Sequence, residues 1–193
     1  VVNAYFAIGD SNWMRDEERA SDLISGWAGA CNEIGATWGG GETPTLKGII
    51  EPETIDLGGS AIGIINPKEN LVLGDKLTDG DVIVLIESSG IHANGITFVR
   101  SLAEKTPDIY SAALPDGRLF GDAILTPTHL YVSLVKAVMA SGVDVHYMVN
   151  ITGHGWRKLM RAVKPFTYEI EVMPAVPAEF KFMQEQADVE DTE

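Results

Sequence analysis

Three glycine-rich turns hold the side chains that could do chemistry. They span residues 39–44, 88–95 and 151–155, and each is expected to follow a strand and to precede a helix or a loop. Backbone N–H groups converge in such turns and in the first turn of a helix, so each turn is a candidate anion-binding site. The alternative is that the glycines only permit a tight turn. The reactive side chains in the three turns are Glu42, Thr43, His92, Asn94 and His154.

Three carboxylates are candidates for holding a divalent metal ion. The chain has 28 Asp and Glu against 14 Lys and Arg, a formal net charge of -14, so a bound phosphate would need its charge neutralised. Asp10, Glu42 and Asp56 lie at expected strand ends or in glycine-rich segments, where their oxygens could ligate a metal. The alternative for each of them is a solvated surface acid or a helix cap.

Charge and composition exclude several other classes of protein. A net charge of -14 repels a nucleic-acid duplex or an anionic membrane, so neither is expected as a partner. The longest apolar runs, such as 82–86, are far shorter than the ~20 residues that cross a bilayer. The single cysteine, Cys31, cannot form an internal disulfide, and no basic segment followed by an apolar one opens the chain. We therefore expect a cytoplasmic protein.

The turns are positioned by alternating strands and helices. In the first part of the chain, the pattern predicts an opening strand at Tyr5–Ile8, a helix over 17–34 that Gly35 ends, and strands at 36–38 and near 59–65. The polar, turn-forming residues 66–70 indicate a domain boundary at about 66/67.

The second part of the chain continues the alternation. Strands are predicted at 81–87, 143–149 and 167–173, and helices are predicted after Gly95, from Thr126-Pro127 onward and after Gly155. Residues 106–125 contain two prolines and two glycines and are predicted to be a long surface loop. The fold class is therefore α/β (α+β).

Several of these segments, taken in order, resemble one enzyme family. They are 40–43, 51–52, 56–59, 80–82 with 88–95, 125–128 with 131–132, 151–153 and the tail 176–184. In this order, the segments resemble those of the phosphoribosylformylglycinamidine cyclo-ligase family, the aminoimidazole ribonucleotide (AIR) synthetases of purine synthesis. The Ser-Ser-Gly-x-His-x-Asn-Gly segment at 88–95 is the most specific part of the resemblance, which covers essentially all of the chain.

The resemblance implies a domain layout and a partner. Residues 1–66 would be the back half of an N-terminal ATP-binding, dimerising domain, and residues 67–193 a C-terminal domain with a mixed sheet covered by helices. The family's N-terminal segment would precede this sequence, and further sheet would follow the acidic run Asp188–Glu193. A homodimer is expected.

The resemblance also implies a reaction, with ATP and Mg²⁺ as cofactors. ATP would phosphorylate the formyl-derived oxygen of formylglycinamidine ribonucleotide, and a nearby nitrogen would displace phosphate to close the imidazole ring. His92 and Asn94 would be catalytic. Substrate would be held by Ser88, Ser89, Gly90, Gly95, Thr152 and Gly153. Nucleotide would lie at Gly40, Gly41, Glu42 and Thr43, and metal at Glu42, Asp56 and Asp10.

Two other functions remain open from the sequence. His154, Asn150 and Asp10 stand where the family tends to have other residues, which favours a second enzyme of the same ATP-dependent superfamily acting on a different amide or phosphate. The absence of the family's N-terminal nucleotide segment from this sequence favours a non-catalytic dimerisation module. Binding of the formylglycinamidine ribonucleotide would discriminate between the two enzymes. Loss of turnover in His92→Ala of a longer protein, with fold and assembly unchanged, would exclude the module.

Overall fold

The computed structural model describes residues 1–92 and 94–187, and these form two compact units. One unit comprises Val1–Leu71 with Leu130–Val143, and the other Val72–His129 with the chain from Asp144 onward. The acidic run Asp188–Glu193 lies outside the described residues. The fold is mixed α/β. Its strands and helices are β1 (Val2–Ile8), α1 (Glu17–Ile34), β2 (Trp38–Glu42), β3 (Ile55–Ala61), α2 (Ile96–Lys105), α3 (Phe120–Ile124), α4 (Val132–Ala140) and α5 (Ala178–Ala187).

The first unit contains a three-stranded mixed sheet of order β2-β1-β3. The opening strand is central, because β1 pairs parallel with β2 and antiparallel with β3. Its side chains at Ala4, Phe6 and Ile8 are buried on one face, and Ala7 on the other face is buried as well. Residues 39–42, which we predicted to be a turn, are instead part of β2. Gly41 permits this pairing, since an added Cβ would lie only 2.0 Å from the Ala4 carbonyl oxygen.

Helix α1 matches the predicted helix and its predicted end. Asp16 caps the start by accepting from the Arg19 N–H, and Gly35 ends the helix in a left-handed conformation with φ 67°. The ring of Trp27 meets Phe6 edge to face at 5.2 Å. Gly59 leaves room for that ring, since an added Cβ would lie 2.9 Å from it. The sequence therefore determines this helix and its packing onto the sheet.

The core of the second unit is built largely from the segment that we predicted to be a surface loop. Residues 106–125 contain Ile109, Leu114, Phe120 and Ala123, all buried in one cluster with Ile91, Val99, Leu102 and Met183. Phe120 is 0% exposed. Pro115 and Gly117 lie in a tight turn in which the Gly117 N–H donates to the Leu114 carbonyl, whereas Gly121 lies within α3. The surface-loop prediction is therefore wrong.

The three strands predicted for the second unit do not form. Residues 81–87, 143–149 and 167–173 lie outside every strand of the described chain. Val82 is 86% exposed. Side chains rather than a backbone ladder hold two of these segments, because His146 bonds to both Asp81 and Asp144. A strand needs a partner for its N–H and C=O groups, and apolar composition alone does not supply one.

The helix predicted from Thr126-Pro127 begins later, at Val132 in α4. The His129 N–H, which would have joined the first helical turn, donates instead to the Ser89 side chain. Two apolar side chains of α4, Leu134 and Val135, are exposed. Nowhere in residues 1–92 and 94–187 is a helix long and apolar enough to cross a membrane.

Candidate active site

The turn at 88–95 holds a histidine against two serines. The Ser89 Oγ lies 2.7 Å from the His92 Nε2, and the Ser88 Oγ lies 3.5 Å from the same nitrogen. Ser88 also bonds to the backbone of Gly90, donating to its carbonyl at 3.2 Å and accepting from its N–H at 3.4 Å. The side chains that we expected to act together are thus in direct contact.

The backbone of this turn is set by Ile91 and His92. Ile91 is buried in the core of the second unit, which anchors the turn. Among the described non-glycine residues, His92 alone has positive φ, at 60°. This left-handed conformation costs roughly 1–2 kcal/mol for an L-residue, so the surroundings must hold it. It allows the ring to reach back to serines three and four residues earlier in the chain.

Ser89 ties the turn to a distant segment of the same unit. Its hydroxyl donates to the Pro127 carbonyl at 2.7 Å and accepts from the His129 N–H at 3.2 Å. Together with the ring of His92, these contacts give the hydroxyl three partners. The 125–128 segment, which the resemblance singled out without assigning it a role, therefore braces the serine beside His92.

Asn94 and Gly153 bring a second predicted turn to the same place. A Cβ added to Gly153 would lie 3.5 Å from the Asn94 Oδ1, so the backbone of one turn passes close to the side chain of the other. Thr152 shapes this second turn, because its carbonyl accepts from the Gly155 N–H at 2.7 Å. Gly95, with φ 99°, lies directly before α2. The structure therefore brings Gly153 of the 151–155 turn beside Asn94 of the 88–95 turn.

An ion pair with a buried carboxylate lies beside this site, and the sequence analysis did not find it. Glu179, at the start of α5, is 1% exposed and its Oε2 accepts from the Arg118 Nη2 at 2.8 Å. A Cβ added to Gly90 would lie 3.5 Å from the Glu179 Oε1, so the carboxylate lies behind the serine-histidine turn. Arg118 also bonds to Asp116, and this bond lowers the pKa of the Asp116 carboxyl below its usual value. No local pattern signals the pair, because its partners are 61 residues apart.

The residues expected to bind nucleotide lie in and next to a strand, not in the predicted turn. Gly40, Gly41 and Glu42 belong to β2, and Thr43 follows the end of that strand. Because β2 pairs with β1, part of its backbone is committed to the sheet. β2 is at the edge of the sheet, so only one side of its backbone pairs with β1, and the assignment of nucleotide to residues 40–43 stays a prediction.

The three expected metal ligands are not brought together. Glu42 and Asp56 lie on opposite neighbours of β1, level with Tyr5 and Ala7, which puts their Cα atoms about 12 Å apart. The Asp10 carboxylate accepts from the Asn12 N–H as a helix cap. No group of three His, Cys, Asp or Glu side chains within residues 1–92 and 94–187 is arranged to hold a metal ion. The described residues therefore do not fit the expected magnesium site.

A separate charged cluster on the second unit surrounds His146. Its Nδ1 lies 2.7 Å from Asp81 and its Nε2 lies 3.2 Å from Asp144, which also accepts from Lys76 at 2.8 Å. Hydrogen bonding to Asp81, followed by that to Asp144, raises the pKa of His146 above its ordinary value. Both nitrogens of this ring are therefore used in hydrogen bonds to carboxylates.

Comparison with known families gives a match that includes the serine-histidine turn. The sequence model of the family described as "AIR synthase related protein, C-terminal domain" matches residues 78–188. The matched range contains both turns of the site, 88–95 and 151–155, and also the buried Glu179.

Curated relatives carry the name phosphoribosylformylglycinamidine cyclo-ligase. The protein of Methanosarcina barkeri is 40% identical over 158 residues, which is 80% of this chain and 45% of the relative. That of Agathobacter rectalis is 34% identical over 181 residues, or 90% of this chain and 52% of the relative. That of Synechocystis sp. is 36% identical over 137 residues, or 70% and 40%. The chain spans about half the length of the curated relatives it matches.

Proposed function

The chain belongs to the family of AIR synthase related proteins, and we propose that it provides the substrate-binding part of an ATP-dependent cyclo-ligase of purine synthesis. The proposed reaction closes formylglycinamidine ribonucleotide to aminoimidazole ribonucleotide and releases ADP and phosphate. Two findings support the proposal. Relatives with that name match 70–90% of the chain, and the residues expected to bind the ribonucleotide lie together in one unit.

The observation that carries the proposal is the polar group formed by two turns. His92 touches Ser89, and Asn94 lies beside the backbone of Gly153. The arrangement offers an imidazole for proton transfer, an amide and a hydroxyl for hydrogen bonding, and a small residue that lets a ligand approach the backbone.

Each group has a proposed task in this site. The nitrogen that closes the ring must lose a proton, and His92 is the group proposed to take it. Asn94 orients the amidine part of the ligand through its amide. Thr152 and the N–H groups of Gly95 and Gly153 are proposed to hold the ribose phosphate, since backbone donors bind anions without adding charge. Ser88 and Gly90, which bond to each other, are proposed to shape the turn against the ligand.

The wider assignments stay proposals as well. Residues 1–66 are proposed as part of an ATP-binding, dimerising domain and residues 67–193 as the C-terminal domain. ATP would supply the phosphoryl group that makes the substrate oxygen a leaving group, and Mg²⁺ would accompany it. Gly40, Gly41, Glu42 and Thr43 stay the proposed nucleotide residues, whereas the described residues offer no group of side chains that would hold Mg²⁺. The expected homodimer is tested by light scattering of the purified chain.

Calorimetric titration of the 193-residue chain with formylglycinamidine ribonucleotide tests the function. We expect binding, and we expect His92→Asn to weaken it at least about tenfold, which corresponds to about 1.4 kcal/mol, the loss of one good hydrogen bond. Asn is chosen because it tolerates the left-handed backbone of position 92. His146→Gln, in the charged cluster of the same unit, serves as the control and should leave the affinity unchanged.

Three outcomes oppose the proposal. Equal affinity of the wild type and His92→Asn would remove His92 from the site. Tighter binding of a different linear ribonucleotide from a panel would favour another enzyme of the superfamily. No binding of any ribonucleotide would favour a non-catalytic module.

A further inference from the structure

The hydrogen bonds around His92 define which of its ring nitrogens carries the proton. A neutral imidazole has one N–H donor and one acceptor nitrogen, and its neighbours decide between the two tautomers. His92 Nε2 has hydroxyl neighbours, Ser89 at 2.7 Å and Ser88 at 3.5 Å. Each hydroxyl has a single proton, so the acceptor of that proton decides whether Nε2 donates or accepts the bond between the ring and the serines.

Ser89 must give its proton to Pro127. The Ser89 Oγ lies 2.7 Å from the Pro127 carbonyl oxygen, which can only accept. If Ser89 donated to His92 instead, the hydroxyl and carbonyl oxygens would face each other at that distance with no proton between them. The His129 N–H donates to Ser89 at 3.2 Å and occupies one of its two lone pairs. The remaining lone pair is the one available to His92.

The proton of the Ser88 hydroxyl is also used in a bond to a backbone carbonyl. This hydroxyl donates to the Gly90 carbonyl at 3.2 Å, which is again an acceptor only. Both serines therefore present lone pairs, not protons, to the Nε2 of His92, and that nitrogen must be the donor.

We infer that Ser89 is a positioning residue that holds neutral His92 in the tautomer protonated on Nε2, so that Nδ1 is the atom that accepts a proton from the bound ligand. Nδ1 has no hydrogen-bond partner in the part of the chain that the structure describes. In the proposed ring closure, the electron pair of the attacking nitrogen forms the new carbon–nitrogen bond while the bond from that carbon to the phosphorylated oxygen breaks and phosphate leaves. The N–H bond of the attacking nitrogen breaks as well, and Nδ1 receives its proton to give an imidazolium. The tautomer stands independently of the reaction, but this use of Nδ1 rests on the proposed function.

The arrangement also excludes a different role for Ser89. An activated serine nucleophile donates its proton to a histidine base. Here the proton of Ser89 is bonded to a backbone carbonyl, and the serine accepts from the ring. The close Ser89–His92 contact therefore orients the ring and does not prepare the hydroxyl for attack.

Nitrogen NMR of the ¹⁵N-histidine-labelled 193-residue chain tests the inference without any ligand. At a pH where the rings are neutral, long-range ¹H–¹⁵N correlations identify the protonated nitrogen of each of the 4 histidines, and the signals of His92 are assigned by their loss in His92→Asn. We expect a single tautomer with the proton on Nε2 and an N–H signal protected from exchange with water. A histidine that is free in water averages both tautomers and shows no such protected proton.

Ser89 variants separate positioning from general structure. Ser89→Ala should remove the protected Nε2 proton and bring the ring nitrogens of His92 toward the averaged values, whereas Ser89→Thr, which keeps a hydroxyl, should restore the wild-type pattern. Ser101→Ala is the control, because the Ser101 hydroxyl also donates to a backbone carbonyl, that of Phe98, at 2.7 Å. Circular dichroism establishes that each variant is folded before its spectrum is compared.

Defined results overturn the inference. A proton on Nδ1 of His92 in the wild type, or an unchanged protected Nε2 proton in folded Ser89→Ala, contradicts it. If the tautomer is found as expected but the calorimetric affinity for the ribonucleotide does not depend on His92, the tautomer is retained and the proposed function fails.

Discussion

Replacing Phe120 by alanine should strongly destabilise the second unit. Phe120 is 0% exposed, stacks nearly parallel to Tyr110 at 6.4 Å and lies 4.9 Å from the ring of Phe182. Exposing a fully buried phenylalanine costs about 2–3 kcal/mol by transfer alone. The void left among these rings adds to that cost, so we expect the free energy of unfolding to fall by about 3–5 kcal/mol.

Urea unfolding followed by circular dichroism and by tryptophan fluorescence measures this loss, and Trp156 reports from the same unit. Phe180→Ala is the matched control on α5, since Phe180 is 38% exposed and its removal opens no enclosed void. The control should cost about 1–2 kcal/mol. If Phe120→Ala costs no more than Phe180→Ala, residues 106–125 are not the core of this unit and the reasoning fails.

Three further variants test the sheet and the charged cluster. Gly41→Ala should lower the unfolding free energy of the first unit by about 1–3 kcal/mol, because the new Cβ would meet the Ala4 carbonyl at 2.0 Å. Gly26→Ala is the control in α1, where an added Cβ has nothing within 4 Å, and it should raise the unfolding free energy by about 0.5–1 kcal/mol. Equal denaturation midpoints for the two variants would contradict the β1–β2 pairing. The pKa of folded His146 is raised above its ordinary 6.5, so its ion pairs stabilise the protein fully below about pH 6.5 and are lost as the pH rises through the folded pKa. His146→Gln should therefore lower the melting temperature at about pH 6 and leave it unchanged well above the folded pKa, and a difference that grows with pH would refute this sign.

The fold of the first unit was predictable because its signals are local. Helix α1 follows from apolar spacing of three and four residues between Asp16 and Gly35, both of which act as its caps. The sequence also predicts the opening strand, which is part of β1. The sequence did not reveal that residues 39–42 are a strand, because glycines are typical of turns and only the close approach to Ala4 explains them here.

The second unit was harder to predict because its apolar segments depend on their partners. Residues 81–87 have the composition of a buried strand, yet no described strand lies beside them. Residues 106–125 have the prolines and glycines of a loop, yet Phe120 and Ile109 lie at the centre of the core. Composition identifies a residue that can be buried, but the surrounding chain decides whether it is.

The sequence by itself determined the chemistry present and its order along the chain. Ser88, Ser89, His92 and Asn94 fall within one short segment, and such neighbours must lie close in any fold. Tertiary structure alone decided how that chemistry is directed, through Pro127 and His129, 38 and 40 residues beyond Ser89, and through the distant pairing of Glu179 with Arg118. The physical reason is that local spacing limits which atoms can meet, whereas the direction of a hydrogen bond depends on acceptors that only folding brings to the site.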